Sequence, residues 1–191
     1  MKILQHFRSS LAGVVLFTLV FSVPAFGSGE LDKQLFDVVS YNEPAEISRL
    51  IKEGANPNHV VTGIPIITVA TVNGSLDAIK ALLAGGADPN LKDDGGKTAL
   101  MFAAEVGEIN VVKTLLDNKA DPNIKQDSTG DTVLLKALAS SHTLEMITTL
   151  LDGGADPTLA NDSGLTPVAS AELHTAAPEV IELLAARSKG K

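Results

Sequence analysis

The chain has no cysteine and no tryptophan, and aromatic residues make up only 4% of it, with a single tyrosine. Without cysteine there is no disulfide staple, no thiol nucleophile and no thiolate ligand for zinc, so side-chain packing alone must hold the domain together. Scarce aromatics imply a core of Leu, Ile, Val and Ala, which suits close-packed helices better than a sandwich of sheets. Basic residues are also in deficit, 15 against 23 acidic, for a net charge of −8. A surface of that sign repels phosphate backbones, which argues against nucleic acid as a partner. The four histidines (His6, His59, His142 and His174) show no H-x-x-x-H or HExxH spacing, so no zinc site is recognisable and no metal ligand is assigned. GxSxG and GxxxxGK[ST] are absent as well. With no catalytic residues to assign and no cofactor motif, a non-enzymatic protein without cofactors is expected.

What is present describes a folded domain. Hydrophobic residues reach 45% and charged residues 20% over 191 positions, enough for one domain with a sizeable core. The first 27 residues differ from the rest. Lys2 and Arg8 open the chain, Leu11–Phe21 is an apolar run, and Ser22–Gly27 carries Pro24 with small residues at Ala25 and Gly27. This is the three-part layout of a secretory signal peptide, and its apolar run is short of the roughly 20 residues that span a bilayer. Cleavage is expected after Gly27, with Ala25 as the alternative. Removal takes two basic residues and no acidic one, which moves the net charge from −8 to −10. The processed chain, residues 28–191, is then expected to be periplasmic or secreted and free of the membrane, a bacterial periplasm fitting the compact layout best.

Nine prolines and sixteen glycines punctuate the remainder at regular intervals. Ile51–Asn58 (IKEGANPN), Leu83–Asn90 (LAGGADPN), Leu116–Asn123 (LDNKADPN) and Leu151–Thr158 (LDGGADPT) align, and the residue before proline recurs at 56, 88, 121 and 156. A second block recurs from Gly63 (GIPIITVATVNG), Gly96 (GKTALMFAAEVG), Gly130 (GDTVLLKALASS) and Gly164 (GLTPVASAELHT). Within Asp93–Lys125, Thr98 is placed to cap a first helix, Gly107 to break the chain, and Val111, Val112, Leu115 and Leu116 to form an apolar stripe on a second helix. Pro122 then forbids helix continuation.

These blocks resemble the ankyrin repeat, in which a turn is followed by two antiparallel helices over about 33 residues. The resemblance implies an all-α solenoid of about five helix-turn-helix units with projecting hairpin loops. The units fall near 31–58, 59–90, 91–123, 124–158 and 159–187, the first and last being caps. It also implies a protein-interaction module whose partner docks on a concave face of hairpin tips and first helices. Mapped onto this chain, that face holds Val61, Thr62, Ile64, Val72 and Asn73, then Asp94, Lys97, Glu105 and Val106. Further along come Ser128, Thr129, Asp131 and Ala139, then Asp162, Ser163, Leu165, Leu173 and His174. Ile64, Val72, Val106, Leu165 and Leu173 are apolar where the fold does not require it, and the acidic residues among them point to a partner patch of basic character.

The sequence also departs from the family's T-P-L-H block. Only Thr166-Pro167 keeps its first two residues together, and Thr68, Met101, Leu135 and Ala169 stand where the family has histidine. The resemblance gives that histidine a turn-stabilising role, so a less rigid array is expected. The fourth unit has an additional residue near Ser140-Ser141-His142 and another, Gln126, in its hairpin; both read as tolerated loop insertions. The alternative function is ligand or metal binding, by calcium on the row Asp93, Asp94, Asp127, Asp131 and Asp162, or through His142 with His174. Local hydrogen bonding within each hairpin competes with calcium for those carboxylates.

Overall fold

The computed structural model describes residues 28–140 and 143–189; the expected leader, and Ser141 with His142, lie outside the described residues. Among the described residues ten helices form five pairs. These are α1 (Ser28–Ser40) with α2 (Pro44–Lys52), α3 (Ile66–Val72) with α4 (Leu76–Ala84), α5 (Ala99–Val106) with α6 (Ile109–Asp117), α7 (Val133–Ala139) with α8 (Leu144–Asp152), and α9 (Pro167–Leu173) with α10 (Pro178–Ser188). Two-residue strands β1 (Val60–Val61) and β2 (Ile64–Pro65) are the only named strands among them. The fold is the all-α repeat solenoid read from the sequence.

The third unit shows why each residue type recurs. The Thr98 hydroxyl accepts the Met101 N–H at 3.4 Å, satisfying one of the free donors at the start of α5. Gly107 ends that helix at φ +89°, where a Cβ would be strained. Val111, Val112 and Leu115 of α6 are buried, while Leu116 is half-buried at the margin. Ala99, Ala103 and Ala104 are buried on α5, which packs against both α3 and α7. Their short side chains allow that close approach. First helices stack in the order α1, α3, α5, α7, α9 and second helices in the order α2, α4, α6, α8, α10, with the core between the two layers.

The D-P-N segments tie one unit to the next. Asn58, Asn90 and Asn123 each accept, through Oδ1, the backbone N–H of Asp88, Asp121 and Asp156 at 2.7 Å. Their amides donate back to the carbonyls of Gly86, Lys119 and Gly154. Within each segment the Asn56, Asp88, Asp121 or Asp156 side chain accepts the N–H two residues on, which fixes the turn. Asp32 of α1 begins this ladder by accepting the Asn56 N–H at 2.7 Å. Thr158 occupies the last position and its shorter side chain bonds to Asp156 instead.

The hairpins pack equally closely. Val61 pairs with Ile64 across a two-residue turn, Thr62 (φ +48°) and Gly63 (φ +81°), the doubly left-handed geometry that matches strand twist. A Cβ on Gly63, Gly96 or Gly130 would collide with Asp94, Asp127 or Asp162 of the following hairpin. These glycines therefore serve stacking as well as turning.

Two expectations about insertions change. Asp93 and Asn161 accept the N–H groups two and four residues on, through Oδ1, across four-residue-spaced hairpins. The matching backbone bonds in the fourth unit run from Gln126 to Asp131, so Gln126 holds the position of Asp93 and the additional residue lies in the tip. Gln126 is buried; its amide donates to the Gly95 carbonyl of the preceding hairpin and its Oε1 accepts the Thr129 hydroxyl. A longer side chain answers a longer loop, which makes it an inter-unit tie rather than slack. The fifth unit also has an additional inter-helix residue: the helix caps stand at 65 and 75, 98 and 108, but 132 and 143, and 166 and 177. Thr175, at φ +53°, there takes a left-handed conformation like that of Gly74 and Gly107.

Candidate functional site

The residues expected on the hairpin and first-helix face divide into two groups. Val72 and Val106, at the ends of α3 and α5, are 62% and 70% exposed, and Leu173 at the end of α9 is 68% exposed. Asn73 is exposed beside Val72. Ile64 is 40% exposed on β2, whereas Leu165 is half-buried. Core packing accounts for none of the three helix-end side chains.

The charged group behaves differently. Lys97 reaches along its own unit to Glu105 at 2.8 Å, and its ammonium lies 5.0 Å above the centre of the Phe102 ring. Lys136 of α7 approaches Glu105 at 3.9 Å and Asp131 at 3.2 Å. Asp131 also accepts from the Asn161 amide at 2.7 Å and the Thr129 hydroxyl at 2.9 Å. Two lysines and two carboxylates thus alternate through the third and fourth units, and Asn161 ties the fifth to them. The Lys136 and Asp131 side chains are only 16% and 19% exposed. Burial alone would raise the Asp131 carboxyl, but the bonds from Asn161, Thr129 and Lys136 outweigh it and hold the group below its usual range.

Glu105 and Asp131, expected to face a partner, are thus paired with lysines of the chain itself. Asp94 remains exposed at a hairpin tip, its N–H donating to the Gly63 carbonyl at 3.0 Å. Lys136 and Phe102 escaped the sequence reading although they hold matching helix positions, four residues beyond Thr132 and Thr98. Lys136 is the one charge in VLLKALA, and that isolation is the signal that marks it.

The acidic hairpins are locally engaged. Asp93 accepts the Gly95 and Lys97 N–H groups, and Asp127 pairs with Lys92 across units. Among the described residues no three His, Cys, Asp or Glu side chains converge as a cation site requires. His174 is half-buried, with Nδ1 donating to the Ser170 carbonyl at 2.8 Å. Its suggested companion His142 is outside the described residues.

Comparison with known proteins agrees with this architecture. Family models described as ankyrin repeats match residues 35–126 (three copies) and 104–151 (many copies), together more than half of the chain. Mitochondrial disaggregase from Homo sapiens is 42% identical over 65 residues, which is 33% of this chain and 9% of that protein. The Bos taurus protein of the same name is 42% identical over the same length, 10% of its own. The aligned region spans about a tenth of these relatives.

Proposed function

This chain belongs to the ankyrin-repeat family, and we propose that it is a non-catalytic module that binds another protein outside the cytoplasm. The bound surface is the hairpin and first-helix face, and the leader over residues 1–27 is removed on export. One observation carries the reading of the face. Val72, Val106 and Leu173 are large apolar side chains left in water at matching ends of three first helices, and Ile64 is exposed on the hairpin side. Single exposed hydrophobes are ordinary; a recurrence at the ends of successive first helices is the mark of an interface. The Lys97–Glu105–Lys136–Asp131 network stiffens the floor beside them, so the docking surface exists before the partner arrives.

The test is affinity purification of the processed protein from the extracytoplasmic fraction, with its N terminus read by mass spectrometry. The expected N terminus is Ser28. A variant carrying Ile64→Asp, Val106→Asp and Leu173→Asp is expected to lose the captured partner with the melting temperature unchanged. Undiminished capture would overturn the face. An intact leader on protein confined to the cytoplasm would overturn the export reading.

A further inference from the structure

We propose that docking is concentrated on one edge of this face, where first helices turn into second helices, and that its occupant is a basic amphipathic segment of another protein. The inference rests on the reading of the chain as a binding module and adds a place and a partner chemistry to it.

The edge is built by the successive loops between first and second helices, described in full in the first, second, third and fifth units. The first helices that lead into them stack in sequence, and the Asn42 side chain of the first loop accepts the Ala78 N–H of α4 at 3.0 Å, so neighbouring loops are in contact. Tyr41 lies just past the end of α1 and is 77% exposed. With Val72, Val106 and Leu173 it gives an uncovered apolar side chain at the end of the first helix in four of the five units. Tyr41 and Val106 directly precede the left-handed Asn42 and Gly107, and Val72 and Leu173 stand two residues before Gly74 and Thr175. Packed helices lie about 8–10 Å apart, so the row advances in steps of about that size. Tyr41 is the one exposed aromatic in it, and aromatic side chains with a polar tip are the commonest interface anchors.

Charge gives the second, independent argument. Glu43, Asp77, Glu108, Glu172 and Glu179 are exposed on the same edge and form no ion pair among the described residues. No Lys or Arg occurs in 36–48, 69–79, 101–112, 137–140, 143–148 or 170–186, the described stretches that form it. Arg49 and Lys113, just beyond, pair with Glu46 and Glu145 and leave the other five carboxylates free of ion pairs. The hairpin edge is different, because Lys92, Lys97 and Lys125 stand among its acids and bond to them or to carbonyls. Apolar side chains set among unpaired carboxylates fit a segment with Leu-like residues on one side and Lys or Arg beside them. A helix of about 18 residues is roughly 27 Å long, enough to cross three units.

Tyr41 is the only tyrosine in a chain without tryptophan, so its emission reports on this edge alone. The probe is a synthetic helical peptide of about 18 residues, Leu on one face and Lys on the other, without aromatic residues. It is titrated into the protein beginning at Ser28 and into the full-length chain, each checked for folding by thermal melt. The expected result is saturable binding that shields Tyr41 from acrylamide, weakens several-fold from 0.05 to 0.5 M salt, and is absent for a Leu/Glu peptide. Val72→Asp with Val106→Asp is expected to weaken binding at least ten-fold at an unchanged melting temperature, while Val60→Asp, on the exposed hairpin strand β1, leaves it intact. Loss in the hairpin variant alone would overturn this inference and keep the broader face. Three results would each assign the edge to another occupant and overturn the proposal. They are equal binding of both peptides, a Tyr41 already shielded in the full-length chain by its own leader, and a dimer dispersed by Val106→Asp.

Discussion

At the scale of single residues, Asp131 shows most clearly how position decides chemistry. Its carboxylate is largely withdrawn from water, and three donors from two units more than compensate. A carboxyl held below its unfolded value contributes stability that is present above the unfolded pKa, about 3.9, and lost as pH falls through the lower folded value. Asp131→Asn is therefore expected to destabilise the domain at pH 7, and the difference from the parent protein should shrink as pH falls from about 5 towards 3. Denaturant unfolding at both ends of that range checks it; a pH-independent difference would mean that packing, not charge, governs the site. The alternation of Lys97, Glu105, Lys136 and Asp131 was not legible in the sequence. Lys97–Glu105 and Lys136–Asp131 each form within one unit, and only stacking brings Lys136 towards Glu105 and joins the two pairs.

At the scale of the element, the helix pairs follow from local signals. Thr98 and Thr166 cap α5 and α9 as their hydroxyls allow, Gly107 breaks the chain, and Pro178 with Glu179 opens α10. Thr132 shows the limit of such reasoning. It occupies the same position ahead of α7, yet its hydroxyl is buried with no hydrogen-bond partner. The apolar stripe of α6 is a stricter case, since Leu115 is fully buried between the two helix layers. Leu115→Ala is expected to cost about 2–5 kcal/mol by leaving a cavity that neighbouring helices cannot close. Denaturant midpoints read the effect, and a loss below about 0.5 kcal/mol, the range of an exposed site, would displace the stripe.

At the scale of the whole molecule, a rule that is weak in one helix becomes a polarity when repeated. Acidic residues favour helix N-termini by a few tenths of a kcal/mol to about 1 kcal/mol each. Glu46, Asp77, Glu145 and Glu179 occupy the first turns of α2, α4, α8 and α10, all of which start on the same edge. The edge is therefore acidic partly because the solenoid aligns its second helices. The same architecture predicts the order of unfolding. Substantial contacts between elements stay within a unit or join adjacent units, so the third unit is supported on both sides and the ends on one. Amide exchange is expected to be slowest in α5 and α6 and fastest in α1, α2, α9 and α10, as measured by mass spectrometry. Uniform protection along the chain would mean a single cooperative unit instead.

The sequence by itself determined the period, the helix pairs and the punctuation, because caps, glycines, prolines and apolar spacing act over a few residues. It also placed Val72, Val106 and Leu173 at the ends of first helices, since the residues that break each helix are local signals. Tertiary structure alone decided which charges remain free. Glu105 and Asp131 looked available in sequence; each is paired with a lysine of its own unit, and stacking links the two pairs through Lys136. Glu43, Asp77 and Glu108 remain without an ion pair where first helices turn into second helices. Ion pairing depends on how hairpin and helix fold onto each other within a unit and, for Lys136 with Glu105, on distances across units, and only the packed solenoid sets them.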